Sequence, residues 1–405
     1  MLSKTPVLVY DVCLKLFSKT PRLRQTLMHR NINSQISAAS VPTQKWSPAA
    51  KTHDWNRAVS DAEKIVGYPT SYFSLKCLLS DEFTNIAMHL RKLVGTNHPI
   101  LKTAKRLVYH GRTNMQTRGL IVLLLSKAAG HAATCSDISS VGASGVTGRQ
   151  QTLAEITEMI HTAHLIHKGI LNLSTTAVPD QDVLQDLQFG NKISILSGDY
   201  LLANACKGLA NLRNCKVVDL ISQAIGDFMQ AEFLGEHDKQ GNPIPITEMS
   251  IATWEEKHLL SAGSLLANSC KAALELAGHD ETLQEKGFEF GKNVALAWQV
   301  YSDLQPFVDS LNFSPGNPFD LSSLPVVFYL ERNPQKINAI RSEIGDDISN
   351  LDFKNLYDAI TDDDAVERTK QMLHQYSQNA EDLLQVFEPS AATKALSNII
   401  NSLRE

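Results

Sequence analysis

Three long stretches of this chain contain no proline, and they constrain the fold more than any other feature. They cover residues 101–178, 181–242 and 246–305. Proline breaks a helix interior because it lacks an N–H and its ring clashes with the preceding turn. Within these stretches apolar residues recur every three or four positions, as in Val217, Ile221, Ala224 and Phe228. No segment alternates polar and apolar residues cleanly, so the sequence predicts an all-α fold.

The first fifty residues differ from the rest in charge. They hold seven Lys and Arg residues and one acid, Asp11, whereas the other 31 basic and 42 acidic residues leave a formal charge of −11. A basic, acid-poor start is typical of a mitochondrial transit peptide, and a disordered basic tail is the alternative. We therefore expect residues 1–50 to be a leader and the protein to reside in the mitochondrion, on the matrix side. The acidic body argues against nucleic-acid binding.

The rest of the chain, residues 55–405, predicts one helical domain. The apolar share of 43% and the charged share of 20% are those of an ordinary globular protein. Two stretches rich in Gly, Ser or Pro, residues 131–150 and 235–247, predict surface connections between helices. No apolar run approaches the roughly 20 residues that span a bilayer, so we expect at most peripheral membrane association. Six cysteines without a CxxC pair indicate reduced thiols and no zinc site.

Four blocks of sequence, spread over most of the chain, carry a family resemblance. They are residues 62–71, 153–158, 190–203 and 265–271. They resemble the trans-prenyltransferase family, the all-trans polyprenyl diphosphate synthases, over the region from about Trp55 to the end. Within that family the chain is most similar to the non-catalytic subunits of heteromeric decaprenyl-type synthases. The resemblance implies an isoprenoid-synthase-type bundle of long helices around a central cavity.

Active members of this family bind an allylic diphosphate through two DDxxD motifs and Mg²⁺, and extend it with isopentenyl diphosphate. Positions i and i+4 lie on one face of a helix, so DDxxD directs carboxylates from neighbouring turns to one point. Mg²⁺ prefers oxygen ligands and commonly binds between carboxylates and substrate phosphates. The ions then neutralise the charge that develops on the leaving diphosphate.

The first motif falls on residues 168–172 of this chain, where its aspartates should stand. Lys168, Gly169 and Asn172 occupy those positions, and Lys168 places a positive charge where a metal cation belongs. The resemblance therefore implies that this motif binds no metal.

The second motif falls on residues 302–306 and keeps one carboxylate. Ser302 and Pro306 replace the outer aspartates, and Asp303 remains. We expect Pro306 to end or kink the helix there. Because losing one charge-stabilising group costs about 10²–10³ in rate, an active lone synthase is not expected, and we assign no catalytic and no metal-binding residue.

Other diphosphate contacts of the family are also altered. Arg112 and Arg118 roughly occupy its basic isopentenyl-diphosphate segment. They are either vestigial diphosphate-binding residues or surface and interface charges. The family's Lys-Thr pair falls on Ser261 and Ala262, which removes another contact.

Several polar clusters have simpler interpretations than catalysis. We expect the three histidines of residues 161–167 to pack or to lie at an interface, since positions i and i+6 diverge by about 120° on a helix. The acidic stretches at residues 346–347 and 362–364 predict helix starts, and Asp182 and Asp186 a solvated face. Gly198 and Ala203 are small residues that allow close helix packing.

The resemblance implies a non-catalytic subunit of a mitochondrial enzyme that makes the isoprenoid side chain of ubiquinone. Its partner would be catalytic subunit 1, which carries both DDxxD motifs and the Mg²⁺, in a heterodimer or a heterotetramer. By family analogy, the interface helices carry residues 153–171 and 193–209. The alternative is a stand-alone prenyl-lipid-binding or regulatory protein that uses the vestigial cavity. A terpene cyclase would need a carboxylate cluster facing the cavity, and the sequence has none in register.

Overall fold

The structure is a computed structural model and describes residues 52–67, 117–132, 145–171, 173, 181–238, 241–309 and 313–404. The predicted leader, residues 1–50, lies outside the described residues, as do Arg112 and Asn172. The described part is almost entirely helical, which confirms the predicted all-α class.

Thirteen α-helices and one short hairpin make up the described residues. In chain order they are α1 (Thr52–Val66), α2 (Arg118–Ala129), α3 (Gly148–Lys168), α4 (Gln181–Leu212), α5 (Cys215–Glu232), β1 (Glu236–His237), β2 (Pro243–Ile244), α6 (Ile251–His258), α7 (Ser264–Leu276), α8 (Glu281–Val308), α9 (Leu324–Arg332), α10 (Gln335–Ile344), α11 (Phe353–Thr361), α12 (Ala365–Leu384) and α13 (Ala391–Arg404). A π-helical turn, Leu259–Gly263, joins α6 to α7, and a 3₁₀ turn, Ile348–Asn350, follows α10.

Helix α7 lies at the centre of the bundle. It packs against α2, α3, α5 and α8, and α8 also packs along α12. At one end α13 lies across α1 and α2. The described helices bury one large hydrophobic core, with members from Trp55 in α1 to Leu403 in α13. The assignment of residues 55–405 to a single domain stays a prediction. None of the described helices combines the length and hydrophobicity needed to cross a membrane.

The two predicted connections differ from expectation in detail. Residues 148–150 of the first belong to helix α3, because Thr147 and Gln150 form a capping box that starts the helix. The second connection contains the antiparallel β1–β2 hairpin, which is held to α10 by a hydrogen bond from Arg341 Nη1 to Glu236 Oε1 (3.0 Å).

The sequence predicted that Pro306 would end or kink the helix that carries the second motif. The helix does not end there. Helix α8 continues to Val308 with Pro306 in its last turn. Proline removes one i→i−4 hydrogen bond, and this loss is tolerated so close to the helix end.

Candidate functional site

Helix α3 carries the first motif position and ends there. Lys168 is its last residue, and the N–H groups of Gly169 and Ile170 bond back to the carbonyls of Ile166 and His167, each at 3.1 Å. Since the chain leaves the helix at Gly169, the later motif positions do not continue the helical face of Lys168. Asn172 lies outside the described residues.

Lys168 forms an ion pair with the end of α5. Its Nζ lies 3.0 Å from Glu232 Oε1, and the two side chains are 47% and 49% exposed. An ion pair this exposed contributes about 0–1 kcal/mol. The position where the family resemblance predicts a metal-binding aspartate is therefore occupied by a cation of the chain itself.

One turn earlier, His164 stacks on Phe228 of α5. The ring centroids lie 4.3 Å apart and the planes differ by 16°. Phe228 is buried. Burial, together with the smaller effects of the charges of Lys168 and Arg118, lowers the pKa of His164 to about 3. His164 is therefore neutral and packs as an aromatic side chain, as expected from the sequence.

Beneath these pairs lies a buried polar cluster formed by α2 and α3. Arg118 Nη1 donates to Nε2 of His161 (2.9 Å). Because arginine only donates hydrogen bonds, this nitrogen of His161 carries no proton, and burial lowers the pKa of His161 well below its usual range. Glu158 Oε1 accepts from the N–H of Gly119 (2.7 Å). Burial raises the pKa of Glu158 to about 7, although Gly119 and Arg118 oppose the rise.

The surroundings of Arg118 are largely apolar. It lines a small cavity of about 20 Å³ together with Trp55, Trp298 and Leu403, a volume sufficient for about one water molecule. Arg118 is thus engaged with His161 on an inward-facing side of the bundle. Its vestigial diphosphate role stays a prediction.

His167 packs tightly on the backbone of α4. Its Nε2 lies 3.4 Å from the carbonyl oxygen of Ile195 and 3.5 Å from Asp199 Oδ1. A Cβ on Gly198 would lie 2.1 Å from His167 Nε2. Gly198 therefore allows this close approach, as predicted. Ala203 instead lies on the exposed face of α4, so it does not bring α4 close to another of the described helices.

Asp303, the carboxylate at the predicted second motif, accepts hydrogen bonds from groups in the core. Asp303 Oδ2 accepts from Trp254 Nε1 (3.0 Å) and from the N–H of Leu324 (2.9 Å), and its Oδ1 accepts from Gln299 Nε2 (2.8 Å). Burial raises the pKa of Asp303 to about 7, against the effect of these donors. Asp303 thus joins α8 to α6 and caps the N-terminus of α9.

The segment at the family's Lys-Thr position has an irregular backbone. Ser261 and Ala262 lie within the π-helical turn between α6 and α7. His258, just before this turn, is buried, and neither of its ring nitrogens has a hydrogen-bond partner among the described residues. Burial lowers the pKa of His258 to about 3.

Comparison with known proteins identifies the scaffold. The polyprenyl synthetase family profile matches residues 100–360. The chain belongs to the polyprenyl synthetase family. It is 46% identical to the rat protein named all trans-polyprenyl-diphosphate synthase PDSS2, over 93% of this chain and 98% of that protein. It is 26% identical to a probable mitochondrial hexaprenyl pyrophosphate synthase of Yarrowia lipolytica, over 85% of this chain and 88% of the other.

Solved structures agree on the fold. The decaprenyl diphosphate synthase of Rhodobacter capsulatus superposes with a TM-score of 0.59 and 17% identity, over 88% of this chain and 99% of that one. At this identity the likeness concerns the fold alone. The all-α isoprenyl-synthase fold that the sequence predicted is therefore confirmed.

Within this family scaffold, the described residues at the motif positions bring no carboxylates together for a metal ion. Ser302 and Pro306 are partly buried neighbours of Asp303 on α8, and Lys168 stands at the predicted first motif position on α3. Among the described residues, no group of three or more His, Cys, Asp and Glu side chains has the geometry to hold a metal.

Sequence reasoning missed the partners of the first motif position. Phe228 and Glu232 stand four residues apart on α5, with the same spacing as His164 and Lys168 on α3. The equal i, i+4 spacing of these residues on the two helices is visible in the sequence. The sequence does not show that the two helices face each other. Glu158 was likewise missed, because its burial depends on the packing of α2 against α3.

Proposed function

We propose that this chain is the non-catalytic subunit of a heteromeric all-trans polyprenyl diphosphate synthase of the decaprenyl type. The observation that carries the proposal is what the residues at the motif positions contact. Lys168, at the position expected for the first aspartate of the family, forms an ion pair with Glu232. Asp303 accepts three hydrogen bonds from groups in the core. The chain alone therefore has no means to ionise an allylic diphosphate, and a partner with both DDxxD motifs would hold the Mg²⁺.

The exposed face of α4 is the best candidate for the contact with that partner. The opposite face of α4, with Ile193, Gly198 and Leu201, packs on α3. Outward-facing Ile195 and Leu196 are 44% and 53% exposed. The small residues Ala203, Cys206 and Ala210 continue this face. We name these five residues the α4 face.

Helix α3, the other interface helix expected by analogy, contributes less. Most of its side chains are buried against α2, α4 and α7 of this chain. A permanent subunit interface usually buries more than about 2,000 Å², so further elements would join the α4 face. Heterodimer and heterotetramer are both compatible with it.

The cellular setting follows from the leader and from a relative. The basic residues 1–50 are typical of a transit peptide, and the Yarrowia relative is named as mitochondrial. We place the protein in the mitochondrial matrix, where the product would supply the side chain of ubiquinone. A stand-alone prenyl-lipid-binding protein is not favoured, because the relatives that match over almost the whole chain are named as synthases.

Affinity purification from mitochondria tests the subunit role. The protein is tagged at its C-terminus, since a tag on the leader would be lost with it, and a mock-tagged strain serves as control. We expect a synthase with both DDxxD motifs to co-purify in stoichiometric amount. Recovery of the tagged protein from intact mitochondria without such a synthase would contradict the proposal.

A further inference from the structure

Helices α3 and α5 are joined by side chains and hardly by their backbones. Helix α3 packs along α4, and α5 packs along α7 and the π-helical turn. Between α3 and α5 the described residues show little direct backbone packing. The space between them is crossed by long side chains that project from both helices.

Two pairs of side chains cross this space, one turn apart. The inner rung is His164 stacked on Phe228, with ring centroids 4.3 Å apart. The outer rung is Lys168 paired with Glu232, at 3.0 Å. Residues 164 and 168, and residues 228 and 232, are each four apart, so each helix presents both of its side chains on one face. We call the two rungs together the α3–α5 bridge.

The two rungs differ in strength. Lys168 and Glu232 are about half exposed, so water and salt screen their attraction. Phe228 is buried, and the neutral imidazole of His164 stacks flat on it. Burial of two rings and their mutual contact outweigh an exposed ion pair. The His164–Phe228 pair therefore fills the space between the helices, and the more exposed Lys168–Glu232 pair lies one turn further along it.

The charge of Lys168 also acts toward the interior of the site. Burial lowers the pKa of His258 at the end of α6, Asp320 opposes this effect, and Lys257 and then Lys168 lower the pKa further by smaller amounts.

We propose that the α3–α5 bridge fills the space between these helices with the chain's own side chains, so that this chain accepts no prenyl chain or prenyl diphosphate there. His164 and Phe228 occupy the volume that an apolar isoprenoid segment would take. Lys168 and Glu232 neutralise each other's charge, so neither a bound cation nor a bound diphosphate is needed to balance it. This goes beyond the subunit role and does not depend on it.

Titration with geranyl diphosphate tests the bridge directly. The full chain, the double variant His164→Ala/Phe228→Ala and the control Phe233→Ala are compared by calorimetry, with and without MgCl₂. Phe233 follows α5 and is 86% exposed, so its loss removes an aromatic ring outside the bridge. We expect no saturable binding to the wild type or to Phe233→Ala. The double variant, which opens an apolar cavity on the order of 150 Å³, should bind saturably, at least about tenfold more tightly than the weakest affinity the titration can detect, independently of Mg²⁺.

Two results would overturn the proposal. One is saturable binding of geranyl diphosphate by the wild-type chain. The other is a double variant that is folded by circular dichroism and binds no better than Phe233→Ala. Should the double variant not fold, His164→Ala alone is measured against the same control, with the same expected gain. Binding by the wild type would leave the subunit role standing, because that role is tested by co-purification of a synthase and by activity of the complex.

Discussion

At the scale of single residues, the environment decides what a carboxylate can do. An ionised aspartate offers about four acceptor sites, and Asp303 uses three of them on donors from α6, α8 and the start of α9. It is also buried, with a pKa raised to about 7. Such a group stabilises the arrangement of three helices, whereas a metal ligand would need its oxygens directed into an open cleft.

The raised pKa of Asp303 predicts a pH-dependent stability. The folded chain holds this proton up to about pH 7, whereas the unfolded chain releases it near 3.8. The stabilising contribution is therefore complete below about pH 4 and is lost as the pH rises through 7. We expect the free energy of unfolding of the wild type, relative to Asp303→Asn, to fall between pH 5 and pH 7 by at most about 1.4 kcal/mol per unit.

Urea denaturation of both proteins at pH 5, 6, 7 and 8 measures this difference. Glu158, whose pKa burial also raises to about 7, is present in both proteins, so its effect cancels in the comparison. A constant difference across this range would show that Asp303 is already ionised in the folded state at pH 5, so that its pKa is not raised to about 7.

At the scale of helices, one glycine sets the separation of α7 and α8. A Cβ on Gly291 of α8 would lie 2.8 Å from the Cα of Ala267 and from the carbonyl oxygen of Leu266. Both atoms belong to the α7 backbone, which cannot rotate away as a side chain can. The two helices at the centre of the core are therefore in contact through their backbones.

The variant Gly291→Ala should lose about 1–3 kcal/mol of stability, because the extra methyl group forces these helices apart. Gly226 of α5 is the matched control, since a Cβ there meets no atom within 4 Å. Gly226→Ala should be neutral or stabilise by up to about 1 kcal/mol, from helix propensity. Thermal unfolding of both variants checks this. Equal stability of the two would contradict the close packing of α7 on α8.

Assembly should depend on the α4 face. Leu196→Asp places a charge on an exposed site, so the fold of the isolated chain should hold, while a buried contact with a partner would be lost. We expect at least about a tenfold loss of affinity for the catalytic subunit. The control is Val386→Asp, which follows α12 and is 42% exposed. The affinities of both variants for the catalytic subunit, measured in a binding assay, test this prediction. Equal affinities would exclude the α4 face from the interface.

Sequence patterns predicted the helices because their signals are local. Apolar spacing over α5 and the Thr147–Gln150 pair at the start of α3 depend on residues within one or two turns. Long-range partners were not predictable in the same way. The donors to Asp303 from Trp254 and Leu324 come from 49 and 21 residues away. The sequence therefore predicted altered motifs, and the structure adds what the side chains at those positions contact.

At the scale of the whole molecule, the chain has the helical architecture of the polyprenyl synthetase family. The core runs through the described helices from Trp55 to Leu403, and the long helix α4 presents an apolar outer face. The side chains around the first motif bind one another. These features suit a protein whose function is to hold a catalytic partner in its productive shape.

Incorporation of labelled isopentenyl diphosphate into long-chain product tests this account most directly. The isolated chain, the catalytic subunit alone and the co-expressed pair are assayed with farnesyl diphosphate and Mg²⁺. The account predicts no product from the isolated chain, and far more product from the pair than from the catalytic subunit alone. Mg²⁺-dependent elongation by the isolated chain would contradict it.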